Sequence, residues 1–186
     1  MRSREFIRKT NIKNDGSRLI NESILVREVE LAFNDWVKNA VDAEYTIIGG
    51  IALSYYTRPR TTTDVDTLFI DKSTIPQSIN KFRRSRAGAF QHNQTHVEIE
   101  VLTPQYVNMD PQLAKAIIDN SNTINGVRVA SPAGLVASKL IRFKLQDQAD
   151  IESLLDYDSN IDLSIYPLDT TLLNKFNQLK TQLGYD

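Results

Sequence analysis

Tyr45-Thr46-Ile47-Ile48-Gly49-Gly50, then thirteen residues, then Asp64-Val65-Asp66, is the stretch whose reading decides the fold. Tyr45–Ile48 is apolar and short, the pattern of a buried strand, and the glycine pair stops it. Ile51–Tyr56 reads as a short helix. Thr57–Thr63 reads as a loop, because Pro59 breaks helix and the threonines favour extended chain. Val65–Ile70 is the next strand, with Asp64 and Asp66 at its start. Side chains at i and i+2 of a strand share a face, and their Cα atoms lie roughly 6.6 Å apart at about 3.3 Å per residue. Two carboxylates so placed can share a hard cation, or hold two about 3.5–4 Å apart. Magnesium takes oxygen ligands and usually borrows some from phosphates. Glycine lets backbone approach a ligand closely, and the helix start after it offers free N–H groups to phosphate oxygens. Strand, glycine pair and helix beside a strand bearing Asp-x-Asp make a phosphoryl-handling arrangement.

A third carboxylate is expected from a neighbouring strand. Thr95–Leu102 alternates Val97, Ile99, Val101 against His96, Glu98, Glu100, the period of a strand. Glu100, in Ile99-Glu100-Val101-Leu102-Thr103-Pro104, ranks above Glu98, which reads as the polar face of the strand. His92 and His96 read as surface residues of a polar loop and strand start.

Composition removes other chemistries. The 186 residues suit one domain, or one with a small appendage. There are no cysteines, which excludes disulfides, zinc–thiolate sites, iron–sulfur clusters and a cysteine nucleophile. Two histidines cannot build a multi-histidine metal centre alone. A net charge of −1 gives no bulk attraction for nucleic acid. No apolar run approaches ~18 residues, so no membrane span is expected. Met1-Arg2-Ser3-Arg4-Glu5 is not followed by an apolar h-region, so no secretory signal is expected, and the default location is the cytoplasm.

Charge is unevenly spread. Residues 1–21 carry Arg2, Arg4, Arg8, Lys9, Lys13 and Arg18 against Glu5 and Asp15, and read as a basic N-terminal arm. Residues 22–130 form the core and 131–186 a C-terminal helical part. Glu22–Val41 has apolar residues at helical spacing, with Trp36 in the core. Ile75–Arg84 looks helical, with a basic cluster of Lys81, Arg83, Arg84 and Arg86 that reads as a solvated turn in preference to an RNA-contact patch. Pro111–Asp119 is a helix. Asn125-Gly126 is a turn before a short strand, Val127–Val129. Ser131–Phe143 is a helix with Ser131 as N-cap and Pro132 at its first position. Gln148–Leu155 and Thr170–Leu183 complete an α+β chain with a small mixed sheet early and helices late.

These residues resemble the nucleotidyltransferase superfamily of the DNA polymerase-β-like fold. Its pattern is an apolar residue and Gly-[Gly/Ser], a spacer, Asp-h-[Asp/Glu], and an isolated acid in a later strand. More narrowly, Arg60-Thr61-Thr62-Thr63-Asp64-Val65-Asp66 resembles the Arg-x-Thr-x-Asp-h-Asp of AbiEii-type toxin nucleotidyltransferases. Val136-Ala137-Ser138-Lys139-Leu140, with Lys144, Asp147, Asp150 and Leu154-Leu155, is similar to that family's later helical signature. The resemblance spans residues 45–156, with Glu100 where these relatives more often carry Asp.

The resemblance implies that Asp64, Asp66 and Glu100 bind magnesium, two ions in all, with Glu100 completing the cluster or acting as base toward an attacking hydroxyl. It places Gly49 and Gly50 against the triphosphate and Lys139 as a neutralising point charge. Asp147 and Asp150 would hold Lys139 or the acceptor, and Arg60 would contact a phosphate or pin its loop. The function so implied is a nucleotidyltransferase. An acceptor hydroxyl of tRNA or protein attacks the α-phosphate of an NTP such as ATP, and pyrophosphate leaves. A cognate antitoxin is the partner such a toxin implies. Two other readings stay open: a non-catalytic nucleotidyltransferase-like binding module, and a small-molecule antibiotic adenylyltransferase.

Overall fold

A computed structural model describes residues 27–58, 62–85 and 88–185. The basic arm at 1–21, Arg60 and Arg86 lie outside them. Among the described residues, seven strands form one mixed sheet in the order β3-β4-β5-β2-β1-β7-β6. In chain order the strands are β1 (Tyr45–Ile48), β2 (Val65–Phe69), β3 (Phe82–Arg84), β4 (Phe90–His92), β5 (Glu98–Leu102), β6 (Asn122–Ile124) and β7 (Val127–Val129). The helices are α1 (Arg27–Asn39), α2 (Gly49–Ser54), α3 (Pro104–Val107), α4 (Pro111–Asp119), α5 (Pro132–Arg142), α6 (Leu145–Tyr157) and α7 (Thr170–Leu183). β1 runs antiparallel to β2 and parallel to β7, while β2 runs parallel to β5. This is the α+β fold expected, with a larger sheet.

Helix α1 buries Val29, Ala32, Phe33 and Trp36, an i, i+3, i+4, i+7 stripe. The Trp36 ring meets Tyr45, Phe82 and Phe90 at 5.3–5.6 Å between centroids. Each such aromatic side chain removed from water contributes about 1.5–3 kcal/mol. Ser131 and Pro132 start α5 as expected, the Ser131 hydroxyl accepting from the Gly134 N–H at 3.2 Å. Asp110 caps α4 in the same way, through the N–H groups of Gln112 and Leu113. One apolar cluster runs from α1 and the sheet through Leu135, Leu140, Ile151 and Leu154 of α5 and α6. Helix α5 therefore packs on α2, next to the turn that opens the site.

Several expectations need correction. Ile75–Arg84 is not a helix. A 3-10 turn at Lys72–Thr74 precedes an irregular stretch, and the chain then enters β3. Ile75, Ile79 and Phe82 have helical spacing, and Ile79 and Phe82 are indeed buried. Pro76 and the left-handed backbone of Lys81 (φ 71°) bring them to the core by turns. The strand expected from Thr95 starts at Glu98, because His96, at φ 60°, belongs to the hairpin turn, donating its N–H to the His92 carbonyl. His92 is a core residue and not a surface one, at 1% exposure. Phe90 and His92 alternate inward on β4, and the His92 imidazole meets Asp35 (3.1 Å) and Thr95 (2.8 Å).

Candidate active site

The site is built where β1 ends against β2. Ile48 is the antiparallel partner of Asp66, so the chain turns into α2 directly beside the Asp66 carboxyl group. Gly49 takes φ +68°, and a Cβ there would fall 1.7 Å from Asp66 Oδ2. The glycine leaves room for a carboxylate as well as conformational freedom, so Asp66 lies directly over bare backbone. On its other flank, β5 runs parallel to β2 with Glu100 opposite Asp66. Adjacent strands are about 4.8 Å apart, which brings the two acids within reach. Thr67 secures this register by donating its hydroxyl to the Glu100 carbonyl at 2.7 Å. Asp64 lies on the same side of β2, its carboxylate accepting from the Thr62 hydroxyl at 3.0 Å.

These acids strain one another. Burial pushes the Asp66 carboxyl up to about 7, and the charges of Asp64 and Glu100 and a hydrogen bond with Glu100 push the same way. Lys139 opposes the shift. Like charges gathered where water is scarce favour the neutral form unless a cation joins them. Among the described residues, no three His, Asp or Glu side chains are grouped as a ready-made metal cage. The donor set is oxygen-only and crowded, which fits a hard cation that completes its shell with phosphate oxygens.

The far wall comes from the α5–α6 corner. Lys139 is buried, its Nζ donating to Asp150 Oδ2 at 2.5 Å, and Gln146 donates to the other Asp150 oxygen at 3.0 Å. Asp150 thus holds Lys139. Asp147 is committed elsewhere, accepting from Arg142 Nη2 at 3.0 Å, Arg142 Nε at 3.3 Å and the Lys144 N–H at 3.1 Å. The Arg142 side chain stays 65% exposed. Its hydrogen bond to Asp147 raises its basicity, and the charges of Asp66 and Asp150 add to this. Arg142 is the cation that the sequence reading did not single out. Its signal was available: it follows Lys139 by one helical turn and precedes Asp147 by five residues.

The structure thus brings Gly49, Gly50, Asp64, Asp66, Glu100, Lys139, Asp147 and Asp150 to one region, whereas Arg60 lies outside the described residues. Glu98 shares a face of β5 with Glu100 but is exposed. The basic cluster does not act as one patch. Lys81 pairs with buried Asp35 at 2.8 Å, and Arg83 donates to the Gln91 side chain. Arg84 donates to the carbonyls of Gly88 and Pro76.

The candidate site is thus a glycine turn beneath crowded strand carboxylates, with the charges of Lys139 and Arg142 near Asp66. The chain belongs to the family described as nucleotidyltransferase of unknown function (DUF6036), which matches residues 26–175. A crystal structure of an antigenic nucleotidyltransferase-like protein from Paracoccidioides brasiliensis is similar at 20% identity, covering 91% of this chain and 92% of its own, with a TM-score of 0.48. No curated protein matches the chain. Among the described residues, no helix is long and apolar enough to cross a membrane.

Proposed function

We propose that the chain is a magnesium-dependent enzyme that moves an NMP from an NTP to an acceptor hydroxyl and releases pyrophosphate. The observation that carries this reading is the Asp66 carboxyl group, seated over Gly49 and crowded by Asp64 and Glu100. Magnesium held by these three residues would supply charge stabilisation for the attacking and leaving oxygens. Gly49, half-buried, makes room for the Asp66 carboxylate and marks the side from which the triphosphate would be held, whereas Gly50 is buried and serves the turn into α2. Arg142, fixed by Asp147 and still exposed, presents its guanidinium to the phosphates. Lys139 supports the site from within, through its pair with Asp150. Glu100, on the flank away from Gly49, is placed to take the proton of the acceptor hydroxyl.

The acceptor is RNA or protein, and a cognate antitoxin is the partner to seek. Support for that finer reading is the resemblance of residues 60–66 and 136–155 to the AbiEii-type signature. Incubation with each α-labelled NTP, magnesium and total tRNA tests the whole proposal, with label scored in RNA, protein and small solutes. Label in a macromolecular fraction is expected, lost in Asp66→Asn. Label confined to a small solute would point to the antibiotic-modifying class. Magnesium–nucleotide binding without transfer would leave a non-catalytic binding module.

A further inference from the structure

A cavity of about 430 Å³ opens beside Glu100, with Lys72, Ile75, Arg84, Glu98 and Tyr106 among the residues on its wall. It lies over β5 and the β3–β4 hairpin, and neither Gly49, Asp64 nor Asp66 lines it. In the sheet order, β5 and β1 stand on opposite sides of β2. The cavity and the glycine turn therefore flank Asp66 from opposite sides. In an in-line displacement the attacking and leaving oxygens stand on opposite sides of the phosphorus. With the triphosphate on the α2 side of Asp66, the attacking group comes from the cavity.

We propose that this cavity seats the terminal nucleotide of an RNA acceptor, a reading that rests on the transferase activity proposed above. Its volume falls within the range of small-molecule pockets and suits one nucleotide. Tyr106 is 71% exposed on the short helix α3, an aromatic face against which a base can stack. Arg84 is a fixed cation. It donates to the Pro76 carbonyl at 2.7 Å and the Gly88 carbonyl at 2.8 Å, with its guanidinium 4.1 Å from the Phe90 ring centroid. A guanidinium held so firmly keeps its remaining N–H groups aimed, as recognition of an acceptor phosphate requires. Lys72, exposed after β2, adds a second positive charge. Of the two acids on the wall, Glu100 belongs to the catalytic cluster and Glu98 is exposed at the strand's start. A polycationic small acceptor would meet Arg84 and Lys72 unfavourably. The terminal hydroxyl oxygen bonds to the α-phosphorus as the α–β bridging P–O bond breaks. The hydroxyl proton passes to Glu100, and pyrophosphate leaves past Gly49.

The test is fluorescence anisotropy of a 5′-labelled single-stranded RNA with a free 3′-hydroxyl, on the full chain with magnesium. Tyr106→Ala is expected to weaken RNA binding about tenfold, with magnesium–ATP affinity and melting temperature unchanged. Lys72→Ala should flatten the salt slope by about 0.7, the loss of one phosphate contact on a single strand. Phosphorylating the RNA 3′ end should weaken wild-type binding, whereas free AMP should compete at higher concentration. RNA affinity within twofold of wild type in the Tyr106→Ala, Lys72→Ala double variant would overturn the proposal. So would label that enters protein without RNA and is lost in Tyr106→Ala, since the cavity would then serve a protein hydroxyl. Failure of the transferase reading looks different: no wild-type transfer, with these RNA-binding differences intact.

Discussion

Gly49 and Asp66 occupy one another's space: a Cβ at position 49 would lie 1.7 Å from Asp66 Oδ2 and 2.6 Å from its Cγ. Any side chain at position 49 must push the carboxylate away from the site, and it must also adopt φ +68°. Left-handed backbone alone costs a non-glycine residue roughly 1–2 kcal/mol. Gly126, at φ +79° in the turn between β6 and β7, has open space where a Cβ would go. Gly126→Ala should therefore lose about that much stability and keep its transfer activity. Gly49→Ala should lose more stability, together with magnesium-dependent nucleotide binding. Paired melting curves and nucleotide titrations separate the two effects, and equal behaviour would remove Asp66 from the argument.

The second prediction concerns pH. The folded Asp66 carboxyl titrates at about 7 against an ordinary value of 3.8. Between those values the folded state binds more protons than the unfolded state, so stability falls as pH rises through this window. Below pH 4 the penalty is absent, and above pH 7 it is fully present. Asp66→Asn should flatten this part of the stability profile and match or exceed wild type at pH 8. Magnesium should restore stability to wild type at pH 8 and do little for the variant, since a ligand that binds only the folded state stabilises it. Urea midpoints from pH 4 to 8, with and without magnesium, decide it. A flat wild-type profile would show that the acids are not crowded.

Glu100 and Glu98 are separated by the same kind of comparison. Glu100 stands opposite Asp66 in the parallel register, and Glu98 does not. Removing a general base or a metal-binding carboxylate typically lowers turnover by about 10²–10⁴-fold. Glu100→Gln is expected to fall in that range, at least tenfold below Glu98→Gln. The reverse order in kcat would move the third acid to Glu98.

Lys139 and Asp150 make a prediction about stability. Both are buried, and Lys139 Nζ is 2.5 Å from the carboxylate. Removing one member of a buried ion pair typically costs about 3–5 kcal/mol. Lys139→Met should destabilise by that order, because Asp150 keeps its charge in the interior. Lys139→Met combined with Asp150→Leu should recover most of the loss, since an apolar pair of similar volume avoids the buried charge. Chemical denaturation of the two variants and wild type measures it. A stable Lys139→Met protein with transfer lowered 100-fold would instead make Lys139 a direct phosphate ligand.

How legible the protein was follows from the length of each signal. The glycine pair, the Asp64/Asp66 spacing and the alternation around Glu100 are contiguous patterns, and each maps onto β1, β2 or β5. Strands β3, β4 and β6 have three residues each, too few to show a period, and they exist because neighbours pair with them. His92 looked polar and external because its partner Asp35 is 57 positions away on α1. The helical spacing of Ile75, Ile79 and Phe82 is present, but turns at Pro76 and Lys81 bring Ile79 and Phe82 to the core as well as a helix would. Asp147 and Asp150 were legible as acids near a lysine. Which cation each one holds depends on the corner between α5 and α6, and no local pattern carries that.

Arg142 supplies the last prediction. Its guanidinium is aimed by two hydrogen bonds to the buried Asp147 and stays largely exposed. The charges of Asp66 and Asp150 act on it as well as that of Asp147. Asp147 is buried and would lose both side-chain bonds, so Arg142→Gln should cost about 1–3 kcal/mol of stability, and its kinetics are compared well below the melting range. The substitution should raise the KM for the NTP about tenfold or more if the guanidinium binds the phosphates in ground and transition states alike. If it binds more tightly as charge develops, kcat should fall instead. Arg142→Lys should rescue poorly, because an ammonium keeps the charge but cannot be aimed by two parallel bonds to one carboxylate. Asp147→Asn should reproduce part of the Arg142→Gln defect with the arginine still present, the mark of a positioning residue. Wild-type kinetics in Arg142→Gln would leave Arg142 as a surface partner of Asp147 and return the task of facing the phosphates to Lys139.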